Sequence, residues 1–191
     1  MNTWVKTLVT AQGDGPALTA AAAASCLPVA AVYTLPANFF FIGKKLRITA
    51  SGRISSVITT PGTARFDVRI GTASPVIVFD GLAMLLDTVA AHTSVGWKLV
   101  IDLTCRAIGN GSLTTFMGQG VWTCEDLLGV PATAPKGVLS AILPWNSAPA
   151  VGSGINNTIA NAIDLFFTQT VATGSMTLHE YSVEDLLSTG E

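Results

Sequence analysis

From Lys44 onward the chain alternates apolar and polar residues with a period of two, the spacing of strands that bury one face. In KKLRITASGRI the apolar set is Leu46, Ile48 and Ala50, against Lys45, Arg47 and Thr49. In ARFDVRI it is Ala64, Phe66, Val68 and Ile70, against Arg65, Asp67 and Arg69. In WKLVIDLTCR it is Trp97, Leu99, Ile101, Leu103 and Cys105. Turn chemistry punctuates these runs: TTPG at 59–62 combines a fixed φ with a glycine, and GNGS at 109–112 tolerates left-handed backbone. Residues 97–123 read as one long hairpin whose second strand carries Gly118 and Gly120, which signal a bulge or a close backbone approach. Residues 162–172 and 175–186 form a closing hairpin, and 75–80 and 137–143 add short strands.

About eight strands result, with no long helix; AAAAAS at 20–25 and EDLL at 184–187 are given a helical turn or two. No fixed-period repeat is visible, which excludes a solenoid or a propeller. The fold class expected is all-β, an antiparallel β-sandwich of the jelly-roll type, over residues 44–191. Residues 1–43 alternate little and carry few charges, and are assigned to an N-terminal arm or edge segment packed on a neighbouring surface.

Composition limits what such a sandwich can do. At 191 residues and 19.7 kDa, surface scaling gives about 8,600 Å² folded against about 28,600 Å² unfolded, enough burial for a core without disulfide or metal. Only 12% of residues are charged, about half the usual fraction. Much of the surface is therefore expected to lie against other protein. Lipid is not the alternative, because the most apolar stretch, residues 17–42, is interrupted by Pro28, Pro36 and Asn38, and the start lacks a secretory signal. Nor is nucleic acid, since 10 basic residues against 12 acidic ones include no cluster larger than Lys44, Lys45 and Arg47. The three cysteines, Cys26, Cys105 and Cys124, are widely spaced and odd in number, which implies neither a disulfide framework nor a zinc site and fits synthesis in a reducing cytoplasm.

Site chemistry is sparse. His92 and His179 are the only histidines and are read as surface residues; there is no GxSxG elbow and no HxH, HExxH or DxDxDG pattern. Glu125 with Asp126, and Glu184 with Asp185, are adjacent on strands and so point to opposite faces. The expectation is no catalytic residue, no cofactor and no metal. What stands out is Phe39, Phe40 and Phe41: on an extended segment at least one ring faces away from its own core, toward a subunit contact or toward a second sheet. Arg47, Arg65, Asp67, Arg69, Asp102 and Arg106 lie on polar phases, either as salt bridges on one sheet face or as a solvated face.

The stretch LPANFFFIGKKLRITASGRISSVITTPGTARFDVRIG (35–71), the segment WKLVIDLTCRAIGNGSLTTFMGQGVW (97–122) and the closing SMTLHEYSVEDL resemble a family of tailed-bacteriophage and prophage virion structural proteins. The resemblance runs from about residue 30 to the C-terminus. It implies a jelly-roll or related sandwich, often trimeric, placed on the head as a decoration or cement protein or else on the tail, and it brings no catalytic motif. On the first placement the partners are further copies, as a homotrimer, and the major capsid protein, with Trp4 as an anchor in a bridging arm and Phe39, Phe40 and Phe41 as further interface candidates. On the second, a tail-fibre or receptor-binding module presents the loop from Pro144 to Asn157 with Trp122 and Trp145 to the host surface. A virion depolymerase is the weakest reading, given so few histidines and paired carboxylates.

Overall fold

The computed structural model describes residues 3–129 and 137–189. Its strands are, in chain order, β1 (Thr3–Thr10), β2 (Ala23–Ser25), β3 (Tyr33–Leu35), β4 (Lys45–Ser56), β5 (Thr63–Ile70), β6 (Val76–Asp80), β7 (Met84–Leu85), β8 (His92–Ala107), β9 (Thr115–Leu128), β10 (Val138–Leu143), β11 (Asn161–Gln169) and β12 (Ser175–Thr189). They form two antiparallel sheets packed as a sandwich, with a single 3-10 turn at Val29–Ala31 as the only helical element among the described residues. One sheet runs β1-β12-β4-β8-β9-β10; the other runs β2-β11-β5-β6, with β3 also on β11 and β7 also on β5. Eight of the strands are those of the alternating pattern. The other four are β1 and the two- or three-residue pieces β2, β3 and β7.

The alternating residues meet between the sheets. Leu46, Ile48, Leu99, Ile101 and Trp122 of the larger sheet face Phe66, Val68, Leu165 and Phe167 of the smaller one, all buried. Phe66 is the centre, with ring centroids 4.9 Å from Trp97, 5.0 Å from Trp122 and 5.1 Å from Phe167. Each such pair adds about 0.5–1.5 kcal/mol beyond the area it buries.

Before β4 the chain lines the sandwich with edge pieces, β1, β2 and β3. β1 pairs with β12 at one edge of the larger sheet, and β2 and β3 pair with opposite ends of β11. Ala23–Ser25 and residues 184–187 are strands and not helical turns: the first pair with Phe166–Thr168, and Glu184 and Asp185 of the second continue the ladder to β4, so sheet pairing overrides a weak helical propensity. The β8–β9 register is continuous from Trp97 opposite Cys124 to Cys105 opposite Phe116, so Gly118 and Gly120 mark close approach and no bulge. A Cβ on Gly118 would lie 2.3 Å from a ring carbon of Phe79 on the facing sheet.

Candidate functional site

Three loops meet at one end of the sandwich: residues 36–43 before β4, 107–114 around the β8–β9 turn, and 151–160 before β11. Positive φ at Asn38 and at Gly43 lets the first loop turn into β4. Asn157 ties all three together. Its side-chain amide donates to the carbonyl of Phe40 at 2.9 Å and accepts the Phe40 N–H at 3.1 Å. Its own N–H donates to the Gly109 carbonyl, and its carbonyl accepts the Asn38 N–H. Thr114 is buried beside it and bonds both the N–H and the carbonyl of Gly109.

This lacing splits the three phenylalanines. Phe40 is 5% exposed and packs edge-on to Phe116 at 4.7 Å. Phe39 is half-buried, 5.1 Å from Phe40, and lies beneath the Lys44 ammonium, which stands 3.9 Å from its ring centroid. Lys44 is itself buried and paired with Asp185 at 2.8 Å. Phe41 is 41% exposed and Ile42 65%. Trp4 lies on β1, its backbone opposite Ser188, and its side chain is outside the described residues.

Phe41 and Ile42 are joined at this end by exposed Ile108, Leu113 and Ile159. None of the three loops contains a charged residue. A scattered exposed leucine or isoleucine needs no explanation, but five exposed apolar side chains on three cross-braced loops without a charged residue stand out.

Elsewhere the outside mixes exposed apolar side chains, among them Val121, Leu139 and Ile142, with ion pairs. Arg47 grips Asp102 with two hydrogen bonds, at 2.8 and 3.0 Å, and Lys45 reaches the same carboxylate at 2.8 Å. Burial raises the Asp102 pKa, but the hydrogen bonds from Arg47 and Lys45 outweigh it and hold the carboxyl below its ordinary value. Beside this pair a shallow groove of about 410 Å³ is lined by Lys45, Asp102, Arg106, Gln119, Val121 and Ile142. The other sheet has its own network. Arg65 and Arg69 close over Asp67, whose side chain they bury completely, and Arg69 also stacks on Phe166 at 3.9 Å. The ion pairs thus divide between two sheets and do not share one face, because β5 pairs with β11 and β6, away from β4 and β8.

At the opposite end from the apolar loops, His92 is not a solitary surface residue. Its Nε2 lies 3.0 Å from Asp87 Oδ2 and 3.9 Å from Asp126 Oδ1. Asp126 also accepts the Ser56 hydroxyl at 2.6 Å and the Asp87 N–H at 3.0 Å. Burial raises the Asp87 pKa, but hydrogen bonds from His92 and the Val89 and Ala90 N–H groups bring it below the ordinary range. Spacings of 5 and 34 residues hid this cluster; only the β7–β8 crossover and the β8–β9 pairing bring it together. Ser56 donates to a carboxylate, so its hydroxyl is not presented to the imidazole as a nucleophile. His179 forms an exposed pair with Asp14 at 2.8 Å. Trp122 is fully buried, so its indole is not offered to a ligand as the receptor-binding reading requires, while Trp145 is half-buried against the core. The three cysteines are free and buried, and desolvation raises each thiol pKa, that of Cys124 to about 12.

No protein-family model and no curated protein matches the chain. Among solved structures it is similar to a lectin from Bauhinia forficata in complex with GalNAc, with 8% identity, a TM-score of 0.36, and 97% of this chain and 99% of that chain covered. It is similar also to the CBM2 module of the evolved Dit of Lactobacillus casei BL23 phage J-1, with 11% identity, a TM-score of 0.34, and coverage of 83% and 70%. For lectin I from Ulex europaeus, in complex with the methyl glycoside of α-L-fucose, the values are 7%, 0.32, and 85% and 76%. None of these similarities transfers a ligand or a role to this chain.

Proposed function

We propose that this protein is a structural component of a tailed-bacteriophage virion, a capsid decoration or cement protein that docks on the head lattice as a homotrimer. The observation that carries the reading is the apolar end formed by Phe41, Ile42, Ile108, Leu113 and Ile159. Burying such side chains is worth about 1.5–3 kcal/mol each, so a contact centred on them supports specific association without any ion pair. Closed rotational symmetry repeats that contact, and each copy bridging neighbouring capsomers adds an interface that must break before the lattice opens. The sequence resemblance supports the virion placement, and the charge deficit supports burial between subunits.

Two measurements test it. Light scattering on the purified chain is expected to give three times the 19.7 kDa mass. Quantitative mass spectrometry of virions is expected to count hundreds of copies, in proportion to the major capsid protein. A few tens of copies or fewer would instead favour a tail-fibre or receptor-binding module that contacts the host surface. The groove beside Asp102 favours that second reading, since its mixture of carboxylate, cations and amide suits a polyhydroxyl ligand.

A further inference from the structure

We propose that Asp87, His92 and Asp126 form a binding site for one zinc-class divalent cation. The site is independent of the assembly surface, which lies at the other end of the sandwich.

Three observations carry it. First, the donor atoms are already gathered: one from each residue lies within 4.8 Å of the other two. Two ligands about 2.0–2.1 Å from a tetrahedral zinc stand about 3.4 Å apart, and the imidazole nitrogen sits 3.0 and 3.9 Å from the two carboxylate oxygens, on either side of that value. Second, the two carboxylates have no fixed cation beside them. Asp87 and Asp126 are both buried, and among the described residues no lysine or arginine pairs with either. A divalent cation held by two carboxylates and a neutral imidazole is neutral overall, which removes the cost of burying two like charges together. Third, the ligands are already oriented by neighbours. Ser56 donates to Asp126 Oδ2, and the Val89 N–H donates to Asp87 Oδ1 at 2.7 Å, which leaves Asp87 Oδ2 facing the imidazole. Such supporting hydrogen bonds are a regular part of metal sites.

The donor set selects the metal. One imidazole nitrogen with two carboxylate oxygens suits zinc, while calcium takes six to eight oxygen ligands. His92 remains partly exposed, so an entering cation and a water as fourth ligand both reach the site from its side. The cation would fasten the β7–β8 crossover to the ends of β8 and β9.

The test uses the full chain, stripped with a chelator and exchanged into metal-free buffer. Zinc is titrated by calorimetry, cobalt(II) by visible absorption, and thermal melting is followed with and without zinc. The expected result is one equivalent per chain, the ligand-field bands of tetrahedral cobalt, and a rise in Tm of about 5–10 °C at a hundredfold excess over Kd. His92→Ala and Asp87→Asn should each weaken zinc binding by about tenfold or more, and His179→Ala, at the exposed pair with Asp14, should leave it unchanged. Absence of both saturable zinc uptake and a Tm shift in the unmutated chain would overturn the proposal without reference to any variant, leaving a structural carboxylate–histidine contact. Binding lost in His179→Ala, retained in both His92→Ala and Asp87→Asn, or accompanied by cysteine–cobalt charge-transfer bands would overturn it as well.

Discussion

Asn157 holds Phe40 by both of its backbone groups, donating from its amide nitrogen to the carbonyl and accepting the N–H, across 117 residues of sequence. One side chain thereby does the work of a strand at a place where no strand runs. It fixes the orientation of the loop that sends Phe40 inward and Phe41 outward, while the Asn157 backbone N–H, donating to the Gly109 carbonyl, joins the segment to the β8–β9 turn.

Replacing Asn157 by alanine leaves a buried N–H and a buried carbonyl unpaired, at about 1–3 kcal/mol each. The expected loss is about 2–4 kcal/mol in urea unfolding, and Asn157→Asp, which keeps only the acceptor, should fall between alanine and the native residue. A loss below about 0.5 kcal/mol for the alanine variant would show that the loop is held by other contacts.

Phe40 and Phe41 are chemically identical neighbours with opposite surroundings, so the same kind of change should act on different measurements. Phe40→Ala removes a ring packed on Phe116 and should cost about 3–5 kcal/mol of stability. Phe41→Ser and Ile42→Ser together should leave stability within about 1 kcal/mol and lower the self-association measured by sedimentation velocity. Unaltered association in the double variant would remove the apolar end from the interface.

The alternating strands were legible because a one-residue slip in a half-buried strand would exchange its faces; Leu46, Ile48 and Ala50 could point only inward. That one of Phe39, Phe40 and Phe41 faces outward was legible for a related reason, since three consecutive rings cannot all face one core; which one does so depends on the loop that Asn157 holds. Two features were not. The Ala23–Ser25 strand is too short to alternate, and it exists because β11 offers it an edge. The Asp87–His92–Asp126 cluster draws on a loop and two strand ends whose adjacency depends on topology, and two aspartates and a histidine at spacings of 5 and 34 match no local motif.

Gly118 reports how closely the two sheets approach. Its missing side chain is replaced by the ring of Phe79 from β6, which is itself buried and has no room to retreat. Gly118→Ala is expected to destabilise by about 1–3 kcal/mol through overpacking. Combining it with Phe79→Leu should restore part of that loss, so that the double variant is more stable than the sum of the two single effects predicts. Strict additivity in a double-mutant cycle would mean that the new methyl group is accommodated elsewhere.

Asp164 gives a pH dependence opposite in sign to the usual carboxylate. Burial raises its pKa, and the hydrogen bonds from the Ser25 hydroxyl and the Leu165 N–H only partly offset that rise. With a folded pKa above the unfolded value of about 3.9, the native state binds the proton more tightly than the unfolded chain does. Its ionisation therefore destabilises the fold at neutral pH, and the penalty lifts as the pH falls through the folded pKa toward the unfolded one. Asp164→Asn keeps an acceptor for Ser25 and removes the charge. Its Tm should exceed that of the native protein at pH 7, with the gap closing as the pH approaches about 4. Taking the difference between the two proteins cancels the acid response of the other carboxylates. A variant that melts lower at pH 7 would mean that attraction to Arg69 outweighs the cost of burying the carboxylate.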